Sequence, residues 1–297
     1  MTPNDVLPVA PKVAAILIAH NQAAELRRAL QALERSEPRE MLEILVVDCA
    51  SEDDTRGFAD EFPGVTVQRL PQHFGATKAL NIATRTARAE FLFLLSPDVE
   101  VAPDTVARLA EQLEANSDAI AVCPLLTDGQ GNPAPHVQAL PDRESLKRFC
   151  ATGEVRRPAL DLAQQSIAVE YGGREALLVR KQFVAGMNYF DERFGEYWAD
   201  ADLAMQIRRI GKKIRLYPEI RAAWHRDRRG ISGDVVHKSD RILGAAALLG
   251  KHKGFLAGFG FRLSAIFSAL LHFDFSLLSA LVGGTTLGSG AARSRPT

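Results

Sequence analysis

The sequence predicts an α/β protein with a mostly parallel central sheet and helices on both faces, followed by a helical, apolar appendage. Three observations point there. Unbroken apolar runs recur at Val13–Ala19, Leu42–Val47 and Phe91–Leu95, as in strands buried on both faces. Stretches with helical apolar spacing separate them, which is the pattern of parallel strands joined by crossover helices. From Asp240 the composition shifts to Leu, Ala, Phe and Gly. The expected divisions are a disordered stretch at 1–11, an α/β domain at 12–235, a helical segment at 236–287 and a disordered tail at 288–297.

Composition narrows the class. The chain has 297 residues, enough for a large core. Lys plus Arg and Asp plus Glu are both 36, so charge gives no argument for nucleic acid. Cys49, Cys123 and Cys150 are odd in number and lack metal-ligand spacing, which fits buried thiols in a reducing compartment. The first eleven residues lack the apolar centre of a signal peptide, and a cytoplasmic protein is expected.

In chain order, VAAILIA at 13–19 is the first strand, closed by His20-Asn21. Leu26, Leu30 and Leu33 mark the helix that follows. LEILVV at 42–47 is the second strand and ends at Asp48, after which CASEDDT supplies capping residues for a helix. Val65–Leu70 is a short third strand, and 75–87 is a helix carrying Lys78 and Asn81. FLFLLSPDVEV at 91–101 is the central strand. Pro97 cannot donate to a ladder, so the strand ends near Ser96 and leaves Asp98 just past its carboxyl end. In open α/β sheets ligands bind at that edge. Taken alone, Asp98 serves equally well as a turn or cap residue.

Val106–Leu113 is a further helix, Ile120–Leu125 a strand and DGQGNP at 128–133 a turn. Residues 134–165 are irregular or a helical insertion. Ala176–Val179 is a strand, and Leu203, Ile207 and Ile210 mark a helix stopped by Gly211. Asp200 and Asp202 fall in its first turn, where negative charge suits the helix dipole. Lys213–Tyr217 is a strand, and Trp224-His225 closes another.

Neither G-x-G-x-x-G after the first strand nor G-x-x-x-x-G-K-[ST] occurs. Polar and acidic residues stand at three strand ends instead: Asn21, Asp48 and Asp98. Without a glycine loop, a nucleotide must be held by side-chain hydrogen bonds, and its diphosphate through a hard cation such as Mg²⁺ or Mn²⁺.

The ordered pieces ILIAHNQ, ILVVDCASEDDT, HFGATKALNIATRTARAEFLFLLSPDVEV, ALLVRKQF, FDERFGEYWADADLAMQIRRIG and WH resemble a family 2 glycosyltransferase of the GT-A fold, nearest its rhamnosyltransferase-like branch. The likeness covers about residues 12–230. It implies that Asp48 bonds the pyrimidine base and that Ala19 and Asn21 flank it, with Ser51 and Asn81 in the same nucleotide site. It implies that Asp98 binds the diphosphate through Mg²⁺ or Mn²⁺ and that His225 approaches the metal or phosphates. Asp200 takes the place of the general base, and Trp198 and Asp202 become candidate acceptor or sugar contacts. The implied reaction is inverting transfer from a nucleotide-sugar donor to the hydroxyl of a glycan or lipid-linked acceptor, in cell-wall, O-antigen or exopolysaccharide synthesis.

Three departures stand out. Ser96-Pro97-Asp98 offers one carboxylate where many relatives carry two, and Ala199 replaces the Glu of a Glu-Asp pair. The run after His225 is Arg226-Asp227-Arg228-Arg229, either a phosphate grip or a solvated loop. Ala199 and the single acid also motivate an alternative: a degenerate relative that binds nucleotide sugar or a protein partner without turnover. A base at Asp200 would gain from partial burial beside Tyr197 and Trp198. In the appendage, Arg262 and Asp274 interrupt the apolar run before it reaches the length of a spanning helix. The expectation there is a hairpin packed on the domain, or an apolar face resting peripherally on the inner leaflet.

Overall fold

A computed structural model describes residues 10–225 and 232–289. Its strands are β1 (Val13–Ala19), β2 (Leu42–Asp48), β3 (Val65–Arg69), β4 (Phe91–Leu95), β5 (Val99–Val101), β6 (Ala119–Thr127), β7 (Ile167–Val169), β8 (Ala176–Arg180) and β9 (Lys213–Trp224). Its helices are α1 (Ala23–Glu34), α2 (Phe58–Glu61), α3 (Ala76–Thr86), α4 (Thr105–Ala115), α5 (Arg143–Thr152), α6 (Lys181–Gly186), α7 (Ala199–Arg209), α8 (Val235–Lys253), α9 (Phe255–Leu271) and α10 (Phe275–Gly283).

One sheet runs β3-β2-β1-β4-β8-β6-β9-β5, with β7 paired to β9. Strands β3, β2, β1 and β4 are mutually parallel. The alternation of side chains along β1 and β4 builds two cores. Ala14, Ile16, Leu92 and Leu94 point to the face covered by α3, α7 and α8, while Ala15, Leu17, Phe91 and Phe93 point to the face covered by α1 and α4. Burial on both faces is why these strands read as continuous apolar runs.

Two features differ from the sequence expectation. Strand β8 runs antiparallel to β4 and β6, with Leu95 opposite Ala176. Residues 213–224 form one strand, not two. Pro218 lies where the register against β6 jumps, from Tyr217 opposite Pro124 to Arg221 opposite Leu125. A proline within such a bulge costs no ladder bond, so its presence does not end the strand. The irregular 134–165 region contains α5, opened by a reciprocal Asp142–Ser145 cap and closed by Gly153 in the left-handed conformation.

The C-terminal helices pack on the domain. Asp202 on α7 is fully buried, and its two oxygens take Lys251 Nζ (2.8 Å) and His252 Nε2 (2.7 Å) from the end of α8. Asp240 on α8 accepts from the Glu196 N–H (2.9 Å) and the Leu287 N–H (3.2 Å). Gly250 and Gly258 let α8 and α9 approach closely, since a Cβ at Gly258 would lie 2.9 Å from the Gly250 Cα. Residues 288–289, expected as disordered tail, belong to a short 3-10 turn anchored by buried Leu287. The remaining expectations of disorder, at 1–9 and 290–297, lie outside the described residues.

Candidate active site

The carboxyl ends of β1 and β2 are tied together by side chains. The Cys49 N–H donates to the Ala19 carbonyl (2.8 Å), and the Ser51 N–H donates to Asp48 Oδ1 (2.8 Å). Asn21, at φ 53°, turns the chain so that its N–H reaches Ser51 Oγ (2.9 Å) and its Oδ1 accepts from the Glu52 N–H (2.8 Å). Asn is one of the few side chains that tolerates this left-handed backbone. The structure therefore brings Ala19, Asn21, Asp48 and Ser51 into one hydrogen-bonded group. Arg69, at the end of β3, completes it by donating to Asp48 Oδ2 (2.9 Å) and the Ser51 carbonyl (2.6 Å). The sequence reading passed over Arg69; only its place at a strand end beside Asp48 signals it.

Asn81 is not part of that group. Its amide clamps the Phe190 backbone, donating to the carbonyl (2.8 Å) and accepting from the N–H (2.9 Å), so it fixes a loop to α3. Lys78 lies over the Phe74 ring (3.9 Å).

A cleft of about 280 Å³ opens between the ends of β1 and β4, walled by Ile18, Leu95 and Pro97 and edged by Arg174 and Glu196. Glu196 caps α3, accepting from the Ala76 N–H (2.8 Å), and pairs with Arg174 (3.1 Å). His73 accepts from the Gly75 N–H at Nδ1 (3.0 Å), which leaves the proton on Nε2, 3.8 Å from Glu196. Burial pushes the His73 pKa down and favours this neutral ring. His20 packs edge-on against it at 4.6 Å.

At the end of β4, Asp98 Oδ2 accepts from the Trp224 indole N–H (2.9 Å), while Oδ1 is buried with no hydrogen-bond partner. His225 is adjacent: its N–H donates to the Asp98 carbonyl (2.9 Å), but its imidazole lies 3.0 Å from Glu100. The ring is therefore engaged by Glu100 and not by Asp98. The basic run 226–229 lies outside the described residues.

Antiparallel pairing of β8 with β4 adds an acid that sequence reading missed. The Ser96 N–H donates to the Glu175 carbonyl (2.8 Å), so Glu175 stands at the same strand ends. Burial, then the negative charge of Asp200, and more weakly that of Asp98, push its carboxyl up to about 7, against the pull of Arg174. Its Oε2 is buried and without a hydrogen-bond partner. Glu175 thus links the acids of β4 and α7 electrostatically.

Asp200 is 7% exposed, in the first turn of α7. Tyr171 donates its hydroxyl to Oδ2 (2.7 Å), and the Ala201 N–H donates to Oδ1 (3.1 Å). Burial raises its pKa, while Arg174 and the Tyr171 hydroxyl hold it back. Tyr171 and Arg174, not the expected Tyr197 and Trp198, form this environment. Trp198 is 5% exposed, donates to the Arg241 carbonyl (2.9 Å) and packs against Phe149 (4.9 Å). Trp198 and Asp202, expected as acceptor contacts, hold the appendage instead: neither presents a free face to a sugar.

Among the described residues no set of three or more His, Cys, Asp or Glu is arranged to hold a metal. The orphaned Asp98 Oδ1 still fits one cation whose other ligands come from a phosphate-bearing ligand and water, which is how Mg²⁺ is commonly bound.

Comparison with known proteins agrees with this architecture. Residues 14–160 match the sequence profile of the family described as "Glycosyl transferase family 2". Over 124 residues the chain is 34% identical to N-acetylgalactosaminyltransferase 6 of Drosophila melanogaster, covering 39% of this chain and 18% of that protein. The chain thus spans less than a fifth of that relative's length. Among solved structures, it resembles GalNAc-T7 with UDP, GalNAc and Mn²⁺ (TM-score 0.60, 16% identity, 79% of this chain and 48% of that one). It also resembles the mannosyltransferase PcManGT of Pyrobaculum calidifontis with GDP-Man and Mn²⁺ (TM-score 0.56, 19% identity, 99% of this chain and 80% of that one). At these identities the likeness is one of fold, and the fold is GT-A with a helical C-terminal region.

Proposed function

We propose that this chain, whose residues 14–160 match the family 2 glycosyltransferase profile, transfers a sugar from a nucleotide-diphosphate donor to a hydroxyl acceptor with inversion. The observation that carries the reading is the placement of the segment 171–175: the Glu175 carbonyl accepts from the N–H of Ser96, two residues before Asp98 (2.8 Å), and Tyr171, four residues before Glu175, donates to Asp200 (2.7 Å). An acid past the central strand and an acid opening α7 therefore act on one neighbourhood, as a displacement with a leaving diphosphate and an incoming alcohol requires.

In this reading the Asn21–Asp48–Ser51 group, braced by Arg69, receives the nucleoside. Asp98 would hold a divalent cation, which when bound would offset negative charge on a leaving diphosphate. The molecules bound to the two structural neighbours, UDP, GalNAc and Mn²⁺ in one and GDP-Man and Mn²⁺ in the other, support a nucleotide-sugar donor and a divalent cation, Mn²⁺ or Mg²⁺. Asp200 takes the acceptor hydroxyl's proton as the oxygen attacks the anomeric carbon and the bond to the diphosphate breaks. Its burial raises its basicity, and Tyr171 orients it, a service the absent Glu at position 199 would otherwise render. A hexose donor, the rhamnosyltransferase-like branch and envelope polysaccharide synthesis on the cytoplasmic side complete the proposal. A lipid-linked acceptor there would be met at the inner leaflet.

The engagement of His225 by Glu100 favours a second reading, a binding protein without turnover. A panel of UDP-, dTDP- and GDP-sugars with Mg²⁺ or Mn²⁺, assayed for donor consumption with wild type and Asp200→Asn, separates the two. Consumption lost in the variant supports transfer; nucleotide binding with no donor ever consumed supports the alternative.

A further inference from the structure

Eleven large apolar side chains are strongly exposed among the described residues, and ten of them lie between 255 and 282. Scattered singly they would be ordinary, but this concentration is not. Leu256, Phe259, Leu263, Phe267 and Leu270 repeat at helical spacing along one face of α9, between 48% and 80% exposed. Phe273, at the turn into α10, is 77% exposed.

The polar groups of the hairpin point elsewhere. Between 254 and 289 the charged residues are Arg262 and Asp274. Arg262 donates to the Leu281 and Val282 carbonyls at the end of α10, and Asp274 accepts from the Leu277 N–H at its start (3.0 Å). His272 bonds the Ser268 carbonyl (2.8 Å). Each satisfies helix backbone, so the hairpin's outer surface carries no outward-directed charge.

Cations border that surface on both flanks. One groove beside α9, of about 910 Å³, is lined by Lys78, Arg193 and Lys251 against a single acid, Glu192, and another by Lys147 and Lys238 against Asp274. Among the described residues Lys78, Lys147 and Lys238 have no carboxylate partner, whereas Arg193 and Lys251 are paired with Asp191 and Asp202. No described helix is long and apolar enough to cross a membrane. A surface apolar at its centre, basic at its edges and too short to span matches a helix lying in the plane of a bilayer with anionic headgroups.

We propose that the α9–α10 hairpin is an interfacial anchor that lies in an anionic phospholipid leaflet. Its phenylalanines and leucines enter the acyl boundary, and Lys78, Lys147 and Lys238 face headgroup phosphates. The inference rests on the C-terminal face alone and needs neither donor nor metal.

Flotation of the full chain with phosphatidylglycerol–phosphatidylcholine vesicles tests it. The chain is expected to float with them, and at least ~10-fold less with pure phosphatidylcholine or in high salt. Hydrogen exchange at 255–282 is expected to slow on vesicle addition. Phe255→Ser/Phe259→Ser/Phe267→Ser is expected to lose at least ~10-fold in binding while keeping its melting temperature, because the three side chains are exposed. A chain that stays in the soluble fraction overturns the proposal. So does a hairpin already protected without lipid in a concentration-dependent dimer, since a second copy would then cover it. Vesicle binding without donor consumption, or the reverse, tells failure of this proposal from failure of the transfer reading.

Discussion

The Tyr171 hydroxyl donates to Asp200 Oδ2 across 2.7 Å, with both residues buried. That bond favours the ionised carboxylate while burial opposes it. Tyr171→Phe is therefore expected to raise the Asp200 pKa further. The acid limb of the pH–rate profile should move to higher pH, with kcat falling most on that limb. A limb that does not move would assign the titration to another group.

Asp200→Asn keeps the shape of the side chain and removes the proposed base. The expected loss in kcat is about 10²- to 10⁴-fold, with the melting shift caused by nucleotide retained. Equal loss of nucleotide binding would make Asp200 part of the donor site instead.

Asp98→Asn leaves an acceptor for Trp224 but takes the negative charge from Oδ1. Most of the melting shift that Mn²⁺ adds to nucleotide should disappear, while the smaller shift from nucleotide alone persists. Chelation of metal from the wild type should reproduce the variant. A full Mn²⁺ effect in the variant would place the cation elsewhere.

Glu175 has a pKa of about 7 in the folded chain against the usual 4.5. Between those values the folded state holds a proton that the unfolded state has released. Its contribution is therefore complete below about pH 4.5 and is lost as pH rises through 7. Glu175→Gln removes the dependence. Its melting temperature should match wild type near pH 4.5 and exceed it at pH 8, by on the order of 3 kcal/mol in stability. Thermal melts across that range decide the point.

Asp202→Ala strands Lys251 and His252 against a buried hole. Breaking such a pair from one side costs about 3 kcal/mol. The loss should appear as a lower melting temperature with faster hydrogen exchange at the end of α8, and with donor binding unchanged if Asp202 has no place in the donor site.

Legibility from sequence followed how local each signal was. Strands β1, β2 and β4 declared themselves because burial on both faces leaves apolar runs, and Asp48 and Asp98 followed from where those runs stop. The direction of β8 did not, because nothing in ALLVR distinguishes parallel from antiparallel pairing. Glu175, Tyr171 and Arg69 were missed with it, since each joins the site through a partner far along the chain. Trp198 and Asp202 flank Asp200 in sequence, yet the helical turn carries them to faces that meet α8. Pro218 mimicked a strand end because the bulge that tolerates it is made by β6.

Asp240 on α8 holds the Glu196 N–H, and the same residue's side chain caps α3 and pairs with Arg174 at the cleft rim. The adjoining Gly195, at φ 56°, has no room for a Cβ against the Asp240 carboxyl. Truncation near residue 235 is therefore expected to disturb the cleft as well as the appendage. It would remove the acceptor of the Glu196 N–H, so any force on the C-terminal helices acts through Asp240 on the rim that Glu196 and Arg174 form at the cleft.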